Sequence, residues 1–178
     1  AYASVAQGGS TLFNQLETSK TSIRMQMVPY FSHIAHDVGP NDILGTAPNG
    51  GNADAPTIVT RIQAFAAQFP GKPLFIATVL PYVTGAITAA DGSDQTPSTT
   101  NSFSTRMPAL NASIRAGIGG VAGYFDINAA CRLGATETKW YADGATALLM
   151  SPDLLHPSTY ASQRVISQAV VDTSRFAR

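Results

Sequence analysis

Residues 73–80 read Pro-Leu-Phe-Ile-Ala-Thr-Val-Leu, an almost unbroken apolar run. A strand with one wet face alternates apolar and polar residues, so a run of this kind fits a strand covered on both faces of a parallel sheet. Just upstream, Ile58, Ile62, Phe65, Ala66 and Phe69 recur at helical spacing until Pro70-Gly71 stops them. Downstream, a helix over residues 103–116 puts Met107, Leu110 and Ile114 on one face and leads into the strand Ala122-Gly-Tyr-Phe-Asp-Ile127. Consecutive parallel strands need crossover helices, and this alternation supplies them. The expected fold is a three-layer, flavodoxin-like, doubly wound α/β sheet with helices on both faces.

The same alternation extends outward. Residues 1–7 read as a short strand that turns through Gly8-Gly9-Ser10-Thr11 into an amphipathic helix carrying Leu12, Phe13 and Leu16. Residues 28–38 read as a strand closed by Gly39-Pro40-Asn41-Asp42. Residues 45–56 and 84–101 are rich in turn-forming residues and read as loops, the second long enough to be functional or mobile. After an irregular segment over 136–151, a Pro-bounded loop leads into a last helix over about 159–176, with Val165, Ile166, Ala169 and Val170 inward. The whole of residues 1–178 reads as a single domain, since the chain is 178 residues long and a domain typically takes about 100–200.

Composition narrows the function classes. Eleven basic residues balance eleven acidic ones, and only 12% of the chain is charged. No bulk charge draws it to nucleic acid or to an anionic membrane, and no apolar run approaches a membrane span. Lysine is limited to Lys20, Lys72 and Lys139, while Ala, Ser, Thr and Gly abound, a surface suited to a secreted or periplasmic protein. Cys131 is alone and reads as a small buried core residue.

The chemistry concentrates in Ser151-Pro-Asp153-Leu-Leu-His156-Pro157. A carboxylate three residues before a histidine can accept from one imidazole nitrogen and leave the other free as a general base. The plainer reading is an N-capping acid beside a surface histidine. What raises the catalytic reading is that Gly8/Gly9 and Gly39/Asn41 also fall at the C-terminal ends of strands, where ligands of such sheets bind. Gly9 can offer a backbone N–H and Asn41 a side-chain amide to an oxyanion. As ordinary structure, the first is a tight turn, and Asn41-Asp42 an Asx-turn or a helix cap.

This ordered set resembles the SGNH hydrolases, or GDSL-type esterases and lipases, a family built on four sequence blocks. Gly9-Ser10-Thr11 resembles the second block, Gly39-Pro40-Asn41-Asp42 the third and Asp153-Leu-Leu-His156-Pro157 the fourth. The resemblance implies a serine esterase acting on small or short-chain acyl esters, sugar O-acyl esters among them, with no cofactor. His156 would be the base, Asp153 its orienting partner, and Gly9 and Asn41 the oxyanion donors. The first block, Gly-Asp-Ser, is absent from the chain. In the family it lies upstream of the second block, on the first, central strand, so the nucleophile and that strand are expected from an N-terminal segment before residue 1. Ser10 is the local alternative as nucleophile. An inactive binding or structural module that keeps the fold is the rival function.

Other groupings carry less. His33 and His36 would point to opposite faces of a strand, which disfavours a shared metal ion with Asp37. Gly117-Ile-Gly119-Gly-Val-Ala122 follows a helix and precedes a strand, the reverse of a dinucleotide fingerprint. With no phosphate loop after any strand, a flavodoxin-like nucleotide binder is disfavoured. Asn111-Ala-Ser113 is a formal glycosylation sequon inside an expected helix.

Overall fold

The computed structural model describes residues 10–18, 26–144 and 150–168. Its centre is a sheet of three parallel strands in the order β1 (Ile34–Asp37), β2 (Leu74–Ala77), β5 (Gly123–Phe125), with Ile34 opposite Leu74 and Phe75 opposite Gly123. All four residues of β2 are buried, as its unbroken apolar run implies. Leu74 and Ile76 enter the main core, and on the opposite face Phe75 stacks on Phe125 with ring centroids 5.7 Å apart. Among the described residues β1 is paired along one side only.

Helices α1 (Leu12–Thr18), α2 (Asn41–Leu44), α3 (Ala55–Gln68) and α4 (Phe103–Ala116) contribute to the main core. Helix α3 starts where Asp54 accepts the Thr57 N–H at 2.9 Å and Pro56 fills a first-turn position that needs no donor. It buries Ile58, Ile62 and Phe65 on one stripe. Full burial of side chains of this size contributes roughly 1.5–3 kcal/mol each. Helix α4 matches its expected bounds and buries Met107, Leu110 and Ile114. These two helices are the crossovers that keep β1, β2 and β5 parallel.

A second core packs beside the first. It gathers Val83, Ile87, Cys131, Trp140, Met150 and Ala161 from two small antiparallel hairpins, a short helix and the last helix. The hairpins are β3–β4 (Val83–Gly85 with Gln95–Pro97) and β6–β7 (Arg132–Leu133 with Thr136–Trp140); the helices are α5 (Ile127–Cys131) and α6 (Thr159–Ser167).

Several expectations need correction. The segment 84–101 is not a plain loop, because it forms most of the β3–β4 hairpin, and 136–151 is not wholly irregular, because it contains β7. The strand expected over 28–38 is confined to Ile34–Asp37: Pro29 fixes φ at the start of a 3₁₀ turn, Val28–Tyr30, and the strand begins only afterwards. Ile166, expected inward, is 73% exposed, and Ala161 is the fully buried residue of α6. The expected strand over residues 1–7, Gly8, Gly9, Ala169 and Val170 lie outside the described residues. Asn111 is 0% exposed, with its amide oxygen accepting the Val79 N–H at 2.7 Å and its nitrogen donating to the Val79 carbonyl at 3.0 Å. In this fold the sequon is therefore closed to modification. Asn111 instead acts as a substitute strand, meeting the backbone of β2 just past its last paired residue.

Candidate active site

Helix α1 opens with a reciprocal cap, since Thr11 Oγ1 accepts the Asn14 N–H at 3.2 Å and Asn14 Oδ1 accepts the Thr11 N–H at 3.4 Å. A longer-range cap comes from Asp42, only 1% exposed, whose two carboxylate oxygens lie 3.0 and 3.2 Å from the Leu12 nitrogen. Arg61 reaches the same carboxylate at 3.4 Å. Burial is the largest influence on this group and raises its pKa to about 6, while the Leu12 N–H and Arg61 pull it down. The neighbouring Asn41 donates its side-chain amide to the Ser10 carbonyl at 3.4 Å. Asn41 and Asp42 thus bind Ser10 and Leu12, either side of Thr11 in the same turn, and the two sequence blocks meet in space.

Close backbone approach fixes the turn from below. A Cβ on Gly51 would lie 2.1 Å from the Gly45 carbonyl carbon, and one on Gly45 would lie 2.7 Å from the Asn41 carbonyl oxygen. Only glycine permits that crossing. The Ala53 N–H also donates to the Asp42 carbonyl at 2.9 Å, so much of the 45–56 loop is tied to the turn it follows.

The expected dyad forms as well. His156 Nδ1 lies 2.6 Å from Asp153 Oδ2, while Asp153 Oδ1 accepts the His156 and Leu155 backbone N–H groups at 2.7 and 3.1 Å. The imidazole bond and these amide donors hold the Asp153 carboxyl well below the usual carboxylate range. With Asp153 ionised, Nδ1 carries the proton, and Nε2 is the acceptor nitrogen. The side chains are 71% and 53% exposed, so Nε2 can meet an incoming group without opening the core.

Leu154, between the two, has φ of +71°, a backbone region costly for a bulky side chain. Its carbonyl accepts the Trp140 indole N–H at 3.0 Å and the Val83 N–H at 3.3 Å. The loop is closed at its base by the Ser158 N–H on the Met150 carbonyl at 3.0 Å, after which Ser158 caps α6 through the Ala161 N–H at 3.2 Å.

The sequence-derived residues therefore fall into two pairs, Ser10 with Asn41 and Asp153 with His156. No hydrogen bond joins one pair to the other among the described residues. The Ser10 hydroxyl donates to the Thr11 carbonyl at 3.3 Å and is not bonded to His156. His36 is occupied elsewhere: its Nε2 lies 2.6 Å from Gln15 Oε1 and its ring meets Phe65 edge-on, while His33 Nδ1 lies 2.8 Å from Ser32 Oγ. Burial lowers the pKa of His36 to about 4 and raises that of the Cys131 thiol to about 11. Among the described residues no three or more His, Cys, Asp or Glu side chains are grouped to hold a metal ion, and no helix is long and apolar enough to cross a membrane. Sequence reasoning missed Trp140, and its helix-cap reading of Asn41-Asp42 did not identify the remote α1 as the helix capped; a tryptophan N–H that needs a partner when buried was the available signal for the first.

No family profile and no curated protein matches the chain. Among solved structures it is similar to a GDSL-like lipase from Bacteroides thetaiotaomicron, at 16% identity and a TM-score of 0.59, over 91% of this chain and 71% of that one. It is also similar to a proposed acylhydrolase from Bacteroides fragilis, at 18% identity and a TM-score of 0.62, over 96% of this chain and 73% of that one. The likeness to SGNH hydrolases read from three short motifs thus extends to the backbone. At these identities it speaks for the fold alone: the chain shares with these two structures an α/β fold built on a parallel sheet.

Proposed function

We propose that the chain is the larger, C-terminal part of a serine esterase domain that hydrolyses carboxylic esters of small or short-chain acyl groups, sugar O-acyl esters among them. The observation that carries this reading is the 2.6 Å bond between His156 Nδ1 and Asp153 on an exposed loop. In that geometry Nε2 accepts the proton of an attacking serine hydroxyl. The serine oxygen adds to the ester carbonyl, His156 returns the proton to the departing alcohol, and an acyl-enzyme remains. Water, deprotonated by the same nitrogen, then releases the acid.

Gly9, through its backbone N–H, and Asn41, through Nδ2, are the oxyanion donors in this scheme. The bond of Asn41 to Ser10 supports it by keeping the amide at the same turn that contains Gly9. The serine comes from a segment before residue 1. One observation favours that source over Ser10: the Ser10 hydroxyl is committed to its neighbour's carbonyl. The low lysine content supports a secreted or periplasmic setting.

The test uses the full-length protein with a short-chain chromogenic ester and a fluorophosphonate. Turnover, with a covalent adduct on a serine upstream of residue 1 and loss of both in His156→Ala, is the expected result. An adduct on Ser10 would move the nucleophile into this chain. Absence of turnover and adduct in the intact protein would leave a binding module that keeps the fold.

A further inference from the structure

The Asp153–His156 loop poses a positioning problem. Both side chains are more than half exposed, so packing does not hold them, and the residue between them sits at φ of +71°. A leucine in that conformation relaxes to an extended one unless the surroundings forbid it. Such a relaxation would swing the 154–155 peptide and separate a carboxylate and an imidazole that are three residues apart.

The restraint comes from behind the loop. Trp140 is 0% exposed at the end of β7, and its Nε1–H donates to the Leu154 carbonyl at 3.0 Å. The indole is itself anchored through its backbone. Gln95, 3% exposed on β4, donates Nε2–H to the Trp140 carbonyl at 2.8 Å, and its Oε1 accepts the Trp140 N–H at 2.8 Å. The Val83 N–H, from the strand paired with β4, gives the same Leu154 carbonyl its second donor at 3.3 Å. Both small hairpins thus converge on one backbone oxygen, the one whose orientation is tied to the unfavourable φ.

We propose that Trp140 is a positioning residue for the reaction: its indole N–H, on a residue whose backbone Gln95 anchors, locks Leu154 in the left-handed conformation and so keeps the Nδ1–H tautomer of His156 aligned with Asp153. This rests on the esterase reading for its catalytic consequence, but its structural half stands alone. The indole touches neither substrate nor the reacting atoms. Its effect passes through one carbonyl to the geometry of a base that must be placed to within a fraction of an ångström.

The deciding experiment removes the N–H and keeps the ring. Benzothienylalanine, introduced at position 140 alone by codon suppression in the full-length protein, has nearly the shape of tryptophan and no donor. Two quantities are read: the ring ¹⁵N shifts of His156, assigned by their disappearance in His156→Gln, and kcat and KM on a short-chain ester. The expected result is a shift of His156 from the Nδ1–H toward the Nε2–H tautomer that free imidazole side chains favour. With it, kcat falls about 10- to 100-fold at unchanged KM. Gln95→Glu, which turns one of the two anchoring contacts repulsive, moves both readouts in the same direction.

An unshifted tautomer overturns the proposal whatever the turnover does, and so does a shifted tautomer at full kcat. If the natural protein turns over no ester yet the isostere still shifts the tautomer, the positioning stands and the esterase reading falls.

Discussion

The Gly39–Asp42 turn and the Asp153–His156 loop hold the two halves of the candidate site by opposite means. Asp42 is 1% exposed and reaches across to the Leu12 N–H, so the first turn is bound into the main core by its own side chain. In the second, the functional side chains are 53% and 71% exposed, and the Leu154 carbonyl is the attachment. A buried carboxylate that caps a distant helix couples local geometry to global stability. A loop held by its backbone can leave its side chains wet and reactive, and lose them with little effect on folding.

The largest expected effect tests that division. His156→Ala lowers kcat on esters by about 10⁴-fold or more while the thermal midpoint stays close to that of the natural protein; a marked loss of stability with turnover intact would erase the contrast. Asp153→Asn retains the shape but permits the wrong imidazole tautomer, for a loss of roughly 10²- to 10⁴-fold in kcat, again with little change in denaturant midpoint.

The buried turn should behave in reverse. Asp42→Ala removes the acceptor shared by the Leu12 N–H and Arg61, and is expected to cost about 2–3 kcal/mol in urea unfolding. Turnover per folded molecule should change far less than in His156→Ala. Gly51→Ala drives a methyl into the Gly45 backbone and should cost roughly 1–3 kcal/mol, measured the same way.

The smallest effect is on pH dependence and sharpens the picture of the buried side. Burial lowers His36 from 6.5 to about 4, so between those values the unfolded chain binds more protons than the native one, and this group makes stability rise with pH. Asp42 is raised from 3.8 to about 6, so over that window the native state binds more protons, and this group makes stability fall as pH rises. The two slopes oppose, and the thermal midpoint should be nearly flat between about pH 4 and 6 with respect to this pair. His36→Gln removes one slope. Its midpoint should then decline from pH 4 to 6, because burial raises Asp37 as well as Asp42; a flat profile would show that neither is a raised group.

Comparison of particular elements shows what kind of information each required. Helix α4 was legible to both ends because its apolar stripe repeats within its own 14 residues. Strand β2 was legible because burial on both faces writes an unbroken apolar run. The β3–β4 hairpin was not: three-residue strands such as Gln95–Pro97 are too short to show alternation, and they are held by contacts to β7. Ile166 was misplaced because the helical stripe fixes which residues share a face, not which face finds a neighbour.

The same distinction divides the candidate site. By itself, the sequence determined the Asp153–His156 pairing, since a carboxylate and an imidazole three residues apart can meet within one turn, and it determined the α/β class through periodicity. Only the tertiary structure decided that Asp42 caps α1 from 30 positions away, and that Trp140 closes on the carbonyl of Leu154. Those bonds join backbone groups to side chains remote in the chain. A backbone N–H or carbonyl is the same in every residue, so no pattern of residue types announces which one a distant side chain will choose.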